Sequence, residues 1–411
     1  MNTSDGAALE TATDSFRVMV VDDSAIIRGF LSRYLNEDPE IEVIVTANNG
    51  RVALRNLERY DVEVVVLDIE MPEMDGMTAL PQMIEMKPDT QIVMASTLTR
   101  KNAEISLKAV QMGAVDYVPK PETARNVNAS VDFRRDLVEK VKAWATRRRM
   151  KRNEPLPTVK KATASGAAGA GFVSAGRTAS ASVSASRPTP GALKLSKQNA
   201  AAQGDKASAA LTTRRATNTR PRILAVGSST GGPQALMKFF EGFKQSPSVP
   251  IVVTQHMPAQ FTAILAGHLG QSTGWASEEA KEGMVLKPGK IHIAPGGSHL
   301  ELVDQGGEIV CHLSDAPPVN FCKPAVDPML KSLEGIYGDR VLVVILTGMG
   351  HDGLKGSRDL AKLGANVMAQ DEATSVVWGM PGAVANAGLC TDILPINDLG
   401  QAAYRRLEGL N

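Results

Sequence analysis

Five short apolar runs punctuate residues 16–120: Val18–Val21, Ile41–Val45, Val62–Leu67, Ile92–Ala95 and Val115–Val118. They are continuous rather than alternating, the pattern of strands in a parallel sheet covered on both faces. Between the first two, Ile26, Ile27, Phe30, Leu31, Tyr34 and Leu35 fall on one face of a predicted helix. Strands interleaved with helices in this way predict an open, doubly wound α/β domain.

The pattern stops near residue 148. Residues 148–219 are rich in Ala, Ser, Thr, Gly and Lys/Arg, with Phe172 the only aromatic. Such a stretch buries too little surface to offset its ordering entropy and is expected to be a flexible linker. From Arg222 the α/β pattern resumes. Ile223–Val226, Ile251–Thr254 and Val341–Leu346 read as strands, and Gln234–Phe240 and Ala259–Leu269 as helices. The expected plan is a first domain over 16–135, a linker over 148–219 and a second parallel-sheet α/β domain over 220–408.

Charge sharpens this division. The net charge is +1, but Arg147–Arg222 holds 16 Lys/Arg against two acids, leaving 29 bases and 42 acids elsewhere. The domains are therefore acidic and the connector basic. Without interleaved aromatics, the basic stretch is not read as a nucleic-acid tail. Cys311, Cys322 and Cys390 fit no zinc or CxxC spacing and are expected as buried thiols of a reducing compartment. The longest aliphatic run, Val341–Leu346, is far too short to cross a bilayer, and the first 15 residues lack an apolar signal core. A cytoplasmic protein that is not membrane-inserted is expected.

Candidate chemistry gathers at predicted strand ends. Asp22 and Asp23 follow the first strand, Asp68 the third, Ser96 the fourth and Lys120 the fifth. Clustered carboxylates call for a cation, and hard oxygen ligands favour Mg²⁺. With Lys120 opposite, the set suits transfer of a phosphoryl group onto Asp68. Val20-Val21-Asp22-Asp23-Ser24, Leu67-Asp68-Ile69-Glu70-Met71-Pro72, Asp75-Gly76 and Lys120-Pro121 resemble the receiver domain of two-component response regulators, a flavodoxin-like fold. The resemblance implies that a histidine kinase phosphorylates Asp68. It also implies that Asp22, Asp23, Asp68 and the Glu70 carbonyl hold the metal, and that Ser96, Lys120 and Tyr117 form the switch.

In the second domain, Gly227-Ser228-Ser229-Thr230-Gly231-Gly232 follows a strand and precedes a helix, as a nucleophile elbow does. A serine nucleophile needs a base. Two triads are open on placement alone: Ser229, His256 and Asp352, all at strand ends, and Ser229, Asp327 and His351. The first is preferred because Asp327 lacks a strand context.

The elbow, Gln255-His256-Met257-Pro258, Ala294-Pro295-Gly296 and Leu346-Thr347-Gly348-Met349-Gly350-His351-Asp352-Gly353 resemble protein-glutamate methylesterase domains. Behind a receiver, they make the chain similar to the chemotaxis response regulator methylesterase (CheB-type) family. The resemblance implies hydrolysis of glutamate γ-methyl esters on methyl-accepting chemoreceptors, with deamidation of receptor glutamines. It implies Ser229 as nucleophile, His256 as general base and acid, and Asp352 as orienting carboxylate. The amides near Thr230 and Met349 would be the oxyanion donors, with no cofactor in this domain. A non-catalytic docking module, a DNA-binding regulator and an α/β-hydrolase acting on a small metabolite are the rival readings. Retention of the three triad residues and the acidic C-terminal half weigh against the first two.

Overall fold

The structure is a computed structural model that describes residues 15–97, 99–120, 131–157 and 211–410. Most of the predicted linker therefore lies outside the described residues.

The N-terminal domain alternates β1 (Phe16–Val21), α1 (Ala25–Asn36), β2 (Ile41–Ala47), α2 (Gly50–Arg59), β3 (Val64–Asp68), α3 (Gly76–Met86), β4 (Gln91–Thr97), α4 (Arg100–Gln111) and β5 (Asp116–Lys120). The five strands are parallel, in the order β2-β1-β3-β4-β5. Each helix start is fixed by a short polar side chain: Ser24, Asn49, Asp75 and Thr99 accept from backbone amides in the first turns of α1 to α4. Gly76 lies so close to the Asp68 carbonyl that a side chain there would collide with β3. Within α1, Leu31, Tyr34 and Leu35 are buried as expected, whereas Ile26 is 63% exposed. It lies in the first turn of the helix, ahead of the buried residues.

A long helix, α5 (Val131–Arg152), carries the N-terminal domain past residue 135 and through the expected linker edge at 148. Its basic end is clasped to the sheet. Glu63, fully buried, accepts from Arg149 Nε at 2.6 Å and Nη2 at 2.9 Å and from the Arg17 amide at 2.8 Å, with Arg148 at 3.4 Å.

The C-terminal domain contains β6 (Ile223–Ser228), α6 (Gly232–Glu241), β7 (Ile251–Gln255), α7 (Ala259–Thr273), β8 (Ser277–Glu279), β9 (Ile291–Ile293), β10 (His299–Gln305), β11 (Glu308–Ser314), α8 (Val326–Leu333), β12 (Val341–Ile345), α9 (Leu354–Leu363), β13 (Asn366–Gln370), α10 (Met380–Asn386), β14 (Asp392–Leu394) and α11 (Ile396–Glu408). Seven strands form a parallel sheet in the order β14-β13-β12-β6-β7-β9-β8, and β10 and β11 pair as an antiparallel hairpin. The direction of winding reverses between β6 and β12, where α/β sheets open a crevice at their carboxyl ends. Residues ahead of β6 belong to this domain too. Arg214 donates Nε to the Leu389 carbonyl at 2.7 Å, and the Thr217 amide donates to Asn366.

The two domains pack together. Tyr117 of β5 stacks on Phe261 of α7, Gln234 donates to the Ala114 carbonyl at 3.0 Å, and Arg147 of α5 donates to the Ser375 carbonyl. Ala103, Leu107 and Tyr117 share one apolar cluster with Phe261 and Leu265.

Candidate functional site

Three strand ends build the site of the C-terminal domain. β6 delivers Ser229, β7 delivers His256, and the loop after β12 delivers Met349 and Asp352. The elbow turns on Gly231, whose φ of 72° lies in the left-handed region that glycine adopts without strain. Gly348 has to be small as well, since a Cβ there would meet the Ser229 Cβ at 2.8 Å. The Ser229 amide donates to the Thr347 carbonyl at 3.0 Å, and Gln255 Nε2 donates to the Ser229 carbonyl at 2.9 Å. The serine is thus held by residues of both neighbouring strand ends.

Asp352 is 1% exposed, and both of its oxygens are saturated. Oδ2 accepts from His256 Nε2 at 2.8 Å and from the Val326 amide at 2.6 Å. Oδ1 accepts from Asn320 Nδ2 at 3.1 Å, the Asp327 amide at 3.1 Å and the Gly353 amide at 3.0 Å. Burial alone would raise its pKa; the bonds from His256 and these amides prevail and hold it below the usual carboxylate range. Burial likewise disfavours a charge on His256, but the bonds to Asp352 and to Cys322 outweigh it and push the ring up to about 10.

Of the two candidate triads, the structure brings His256 and Asp352 into direct contact, with Ser229 lining the same cleft. Asp327 instead bonds the Gly356 amide, and His351 is exposed. The amides of Thr230 and Met349, which line that cleft, have no acceptor among the described residues. The cleft holds about 520 Å³ and is also lined by Asp116, Tyr117, Pro119, Arg135 and Lys140 of the N-terminal domain.

A second site forms in the N-terminal domain, at its own switch point between β1 and β3. Lys120 Nζ lies 2.6 Å from Asp68 Oδ1 and 2.9 Å from Asp22 Oδ2. Carboxylate oxygens of Asp22, Asp23 and Asp68 come within 4.8 Å of one another, a hard-oxygen set that fits Mg²⁺. Burial raises Asp68 to about 6, with Lys120 pulling the other way and Asp22 adding to the rise. The Ser96 hydroxyl is turned toward α4, 2.8 Å from Ser106 Oγ, while Thr97 accepts from Asn102. The Glu70 side chain is exposed, 3.9 Å from Lys101.

Residues 224–403 match the CheB methylesterase family and residues 18–132 the response regulator receiver domain. The chain is 46% identical over 404 residues to protein-glutamate methylesterase/protein-glutamine glutaminase 1 of Rhodospirillum rubrum, covering 98% of this chain and 97% of that one. The group 2 operon enzyme of the same name from Bradyrhizobium diazoefficiens is 45% identical over 411 residues, 99% and 98% of the two chains. The chain belongs to the protein-glutamate methylesterase/protein-glutamine glutaminase family. Among solved structures, the CheB methylesterase catalytic domain of Thermotoga maritima matches at 38% identity and a TM-score of 0.43, covering 47% of this chain and 98% of that one. Among the described residues, no helix is long and apolar enough to cross a membrane.

Sequence reasoning missed two residues of this cleft, Asn320 and Cys322. They sit in a tight turn in which Val319 and Cys322 exchange backbone hydrogen bonds at 3.1 and 2.9 Å. The turn places Asn320 on Asp352 and Cys322 Sγ 3.2 Å from His256 Nδ1. Cys322 is therefore not the buried thiol expected; the cleft leaves it partly open, whereas Cys311 and Cys390 are fully buried. Burial pushes those two thiols up to about 11 and about 12.

Proposed function

We propose that this hydrolase removes γ-methyl groups from glutamates of methyl-accepting chemoreceptors by serine acyl transfer, deamidates receptor glutamines at the same site, and is controlled by phosphorylation of Asp68. The observation that carries the reading is the His256–Asp352 pair beside the Ser229 elbow at the sheet's switch point.

Five donors fix Asp352, and Asp352 in turn fixes the ring of His256 through Nε2, so Nδ1 is the atom left to take a proton. Ser229 Oγ gives its proton to Nδ1 and attacks the ester carbonyl. The Thr230 and Met349 amides receive the oxyanion, His256 returns the proton to departing methanol, and a glutamyl-serine ester remains. Water, deprotonated by His256, releases glutamate. A glutamine side chain follows the same course with ammonia as the leaving group. This chemistry needs no cofactor in the esterase domain.

In the receiver, Asp68 is the phosphoacceptor, with a chemotaxis histidine kinase as the donor. Asp22, Asp23, Asp68 and the Glu70 carbonyl would hold Mg²⁺, which supplies charge neutralisation for the incoming phosphoryl oxygens. Lys120, already paired to Asp68, neutralises a further oxygen, and Ser96 turns from Ser106 to bond the phosphoryl group. In the resting state the receiver walls off the cleft from a receptor helix. The deciding assay incubates purified protein with methyl-labelled chemoreceptor and scores released methanol; no release, with or without phosphodonor, would refute the reading.

A further inference from the structure

The atom that the proposed mechanism needs free is engaged. Cys322 Sγ lies 3.2 Å from His256 Nδ1, and Asp352 holds the other side of the ring at 2.8 Å. Thiol, imidazole and carboxylate thus stand in line, nucleophile against base and base against orienting acid.

Three further features set this thiol apart. It lines the 520 Å³ cleft shared with Ser229, so a small reagent can reach it, while Cys311 and Cys390 are 0% exposed. Its position is imposed by the backbone: Asn320 and Phe321, at φ of 51° and 64°, are both left-handed without being glycine. Such a pair is strained and persists only where the surroundings hold it, and strained turns cluster at functional sites. Both flanks of the turn are held, Asn320 by Asp352 and Phe321 by Arg135 of the receiver, whose guanidinium lies 4.5 Å from the ring centroid.

We infer that Cys322 is a thiol-modification site, activated by His256, through which peroxides and small thiol-directed electrophiles shut off the esterase. The Cys322 proton passes to His256 Nδ1, and the thiolate attacks one oxygen of a peroxide. The O–O bond breaks, a sulfenic acid forms, and the departing hydroxide takes the proton from His256 to leave as water. Sulfur is oxidised by two electrons and the peroxide reduced by two. The added oxygen sits against the ring nitrogen that Ser229 requires. A low-molecular-weight thiol reverses the change, first forming a mixed disulfide with loss of water and then releasing Cys322 by exchange. Shut-off rests on the esterase reading; the reactivity does not.

The test therefore begins with reactivity. Full-length protein is pulsed with iodoacetamide at neutral pH and the three cysteines are quantified by peptide mapping. Cys322 is expected to alkylate about tenfold faster than Cys311 or Cys390, and faster in the native protein than in denaturant, as an activated thiol does and a merely accessible one does not. His256→Gln should slow Cys322 to or below its denatured rate. Native labelling no faster than denatured labelling overturns the activation without touching the esterase reading. In the second arm, hydrogen peroxide should abolish methanol release in the wild type, with recovery on dithiothreitol. Cys322→Ala, normalised to its own untreated rate, should keep it. Equal loss in Cys322→Ala would remove Cys322 from the effect.

Discussion

The ring of Tyr117 in the receiver lies nearly flat on that of Phe261 in the esterase, with centroids 4.3 Å apart and planes 6° from parallel. Tyr117 is three residues from Lys120, which pairs with Asp68, and Phe261 sits in the first turn of α7, five residues after His256. One stacked pair therefore joins the strand that carries Lys120 to the helix that follows His256. An aromatic pair contributes about 0.5–1.5 kcal/mol beyond its buried area. Phe261→Leu keeps an apolar side chain in α7 but removes the stack. It should raise basal methanol release of the full chain roughly 2- to 13-fold, the same free energy expressed as open population. The same substitution in a fragment starting at Leu211 should have little effect. Equal effects in both contexts would mean that Phe261 acts within the esterase alone.

Phosphorylation should act through the same surface. Asp68 Oδ1 is taken by Lys120 and by the Ile69 amide at 2.8 Å, leaving Oδ2 without a donor among the described residues. Asp68→Ala removes the acceptor, so the full chain should stay at its basal rate when a small phosphodonor and Mg²⁺ are added, while the wild type accelerates. Omitting Mg²⁺ should abolish the wild-type response. Acceleration of Asp68→Ala by the donor would place phosphorylation elsewhere.

For the nucleophile, Ser229→Ala should lose turnover on the order of 10⁶-fold, with His256→Ala about as severe. His351→Ala should be mild, because His351 is exposed and none of the five donors on Asp352 comes from its side chain. Comparison of initial rates of methanol release decides this. A dead His351→Ala with an active His256→Ala would restore the alternative triad.

The strands that carry the chemistry were legible because they are the buried ones. β1, β3, β6, β7 and β12 are largely apolar runs; β3, β6 and β7 end in Asp68, Ser228 and Gln255, while β1 leads directly into Asp22 and β12, past Leu346, into Thr347. β8 and β14 are only three residues long and contain acids, so no periodicity marks them. The basic end of α5 reads as linker composition because the partner that makes it helical structure, Glu63, lies 86 residues away from Arg149. Cys322 was illegible for a related reason. Its spacing says nothing, and its role depends on a turn whose two left-handed residues, Asn320 and Phe321, are not glycine.

The pH profile should expose the Cys322–His256 contact. Because its partners raise the ring to about 10, the folded protein holds the His256 proton more tightly than the unfolded chain does. That stabilisation is complete below about pH 6.5 and is lost as pH rises toward 10. Activity has the opposite slope, since only neutral imidazole accepts the Ser229 proton. Cys322→Ala removes one raising partner and leaves Asp352, so the rising limb of kcat/KM should move to lower pH. An unmoved limb would show that the sulfur does not influence the ring.

The clasp on α5 yields the last prediction. Glu63 has no exposure, and the side chains of Arg148 and Arg149 are only 3% and 5% exposed, so their charges have little recourse to water. Both carboxylate oxygens are used: Oε1 meets Arg149 Nε and Arg148 Nη1, and Oε2 meets Arg149 Nη2 and the Arg17 amide. Glu63→Gln keeps the shape but removes the charge, and it replaces one acceptor oxygen with a donor that faces other donors. Breaking a buried ion pair from one side costs about 3–5 kcal/mol, because the partner charges stay buried without that counter-charge. Arg148 also pairs with Asp61 at 3.2 Å and Glu154 at 3.3 Å, which places the expected loss toward the lower end of that range. Two measurements should move together. Urea unfolding of the receiver should shift to lower concentration, and trypsin should cut at Arg148 and Arg149 in the mutant under conditions where the wild type is resistant there. Release of α5 would also free Arg147 from the Ser375 carbonyl, so basal esterase activity should rise. A Glu63→Gln protein with unchanged urea midpoint and unchanged cleavage would mean that the apolar face of α5, through Phe133, Leu137, Val141 and Trp144, holds the helix without the clasp.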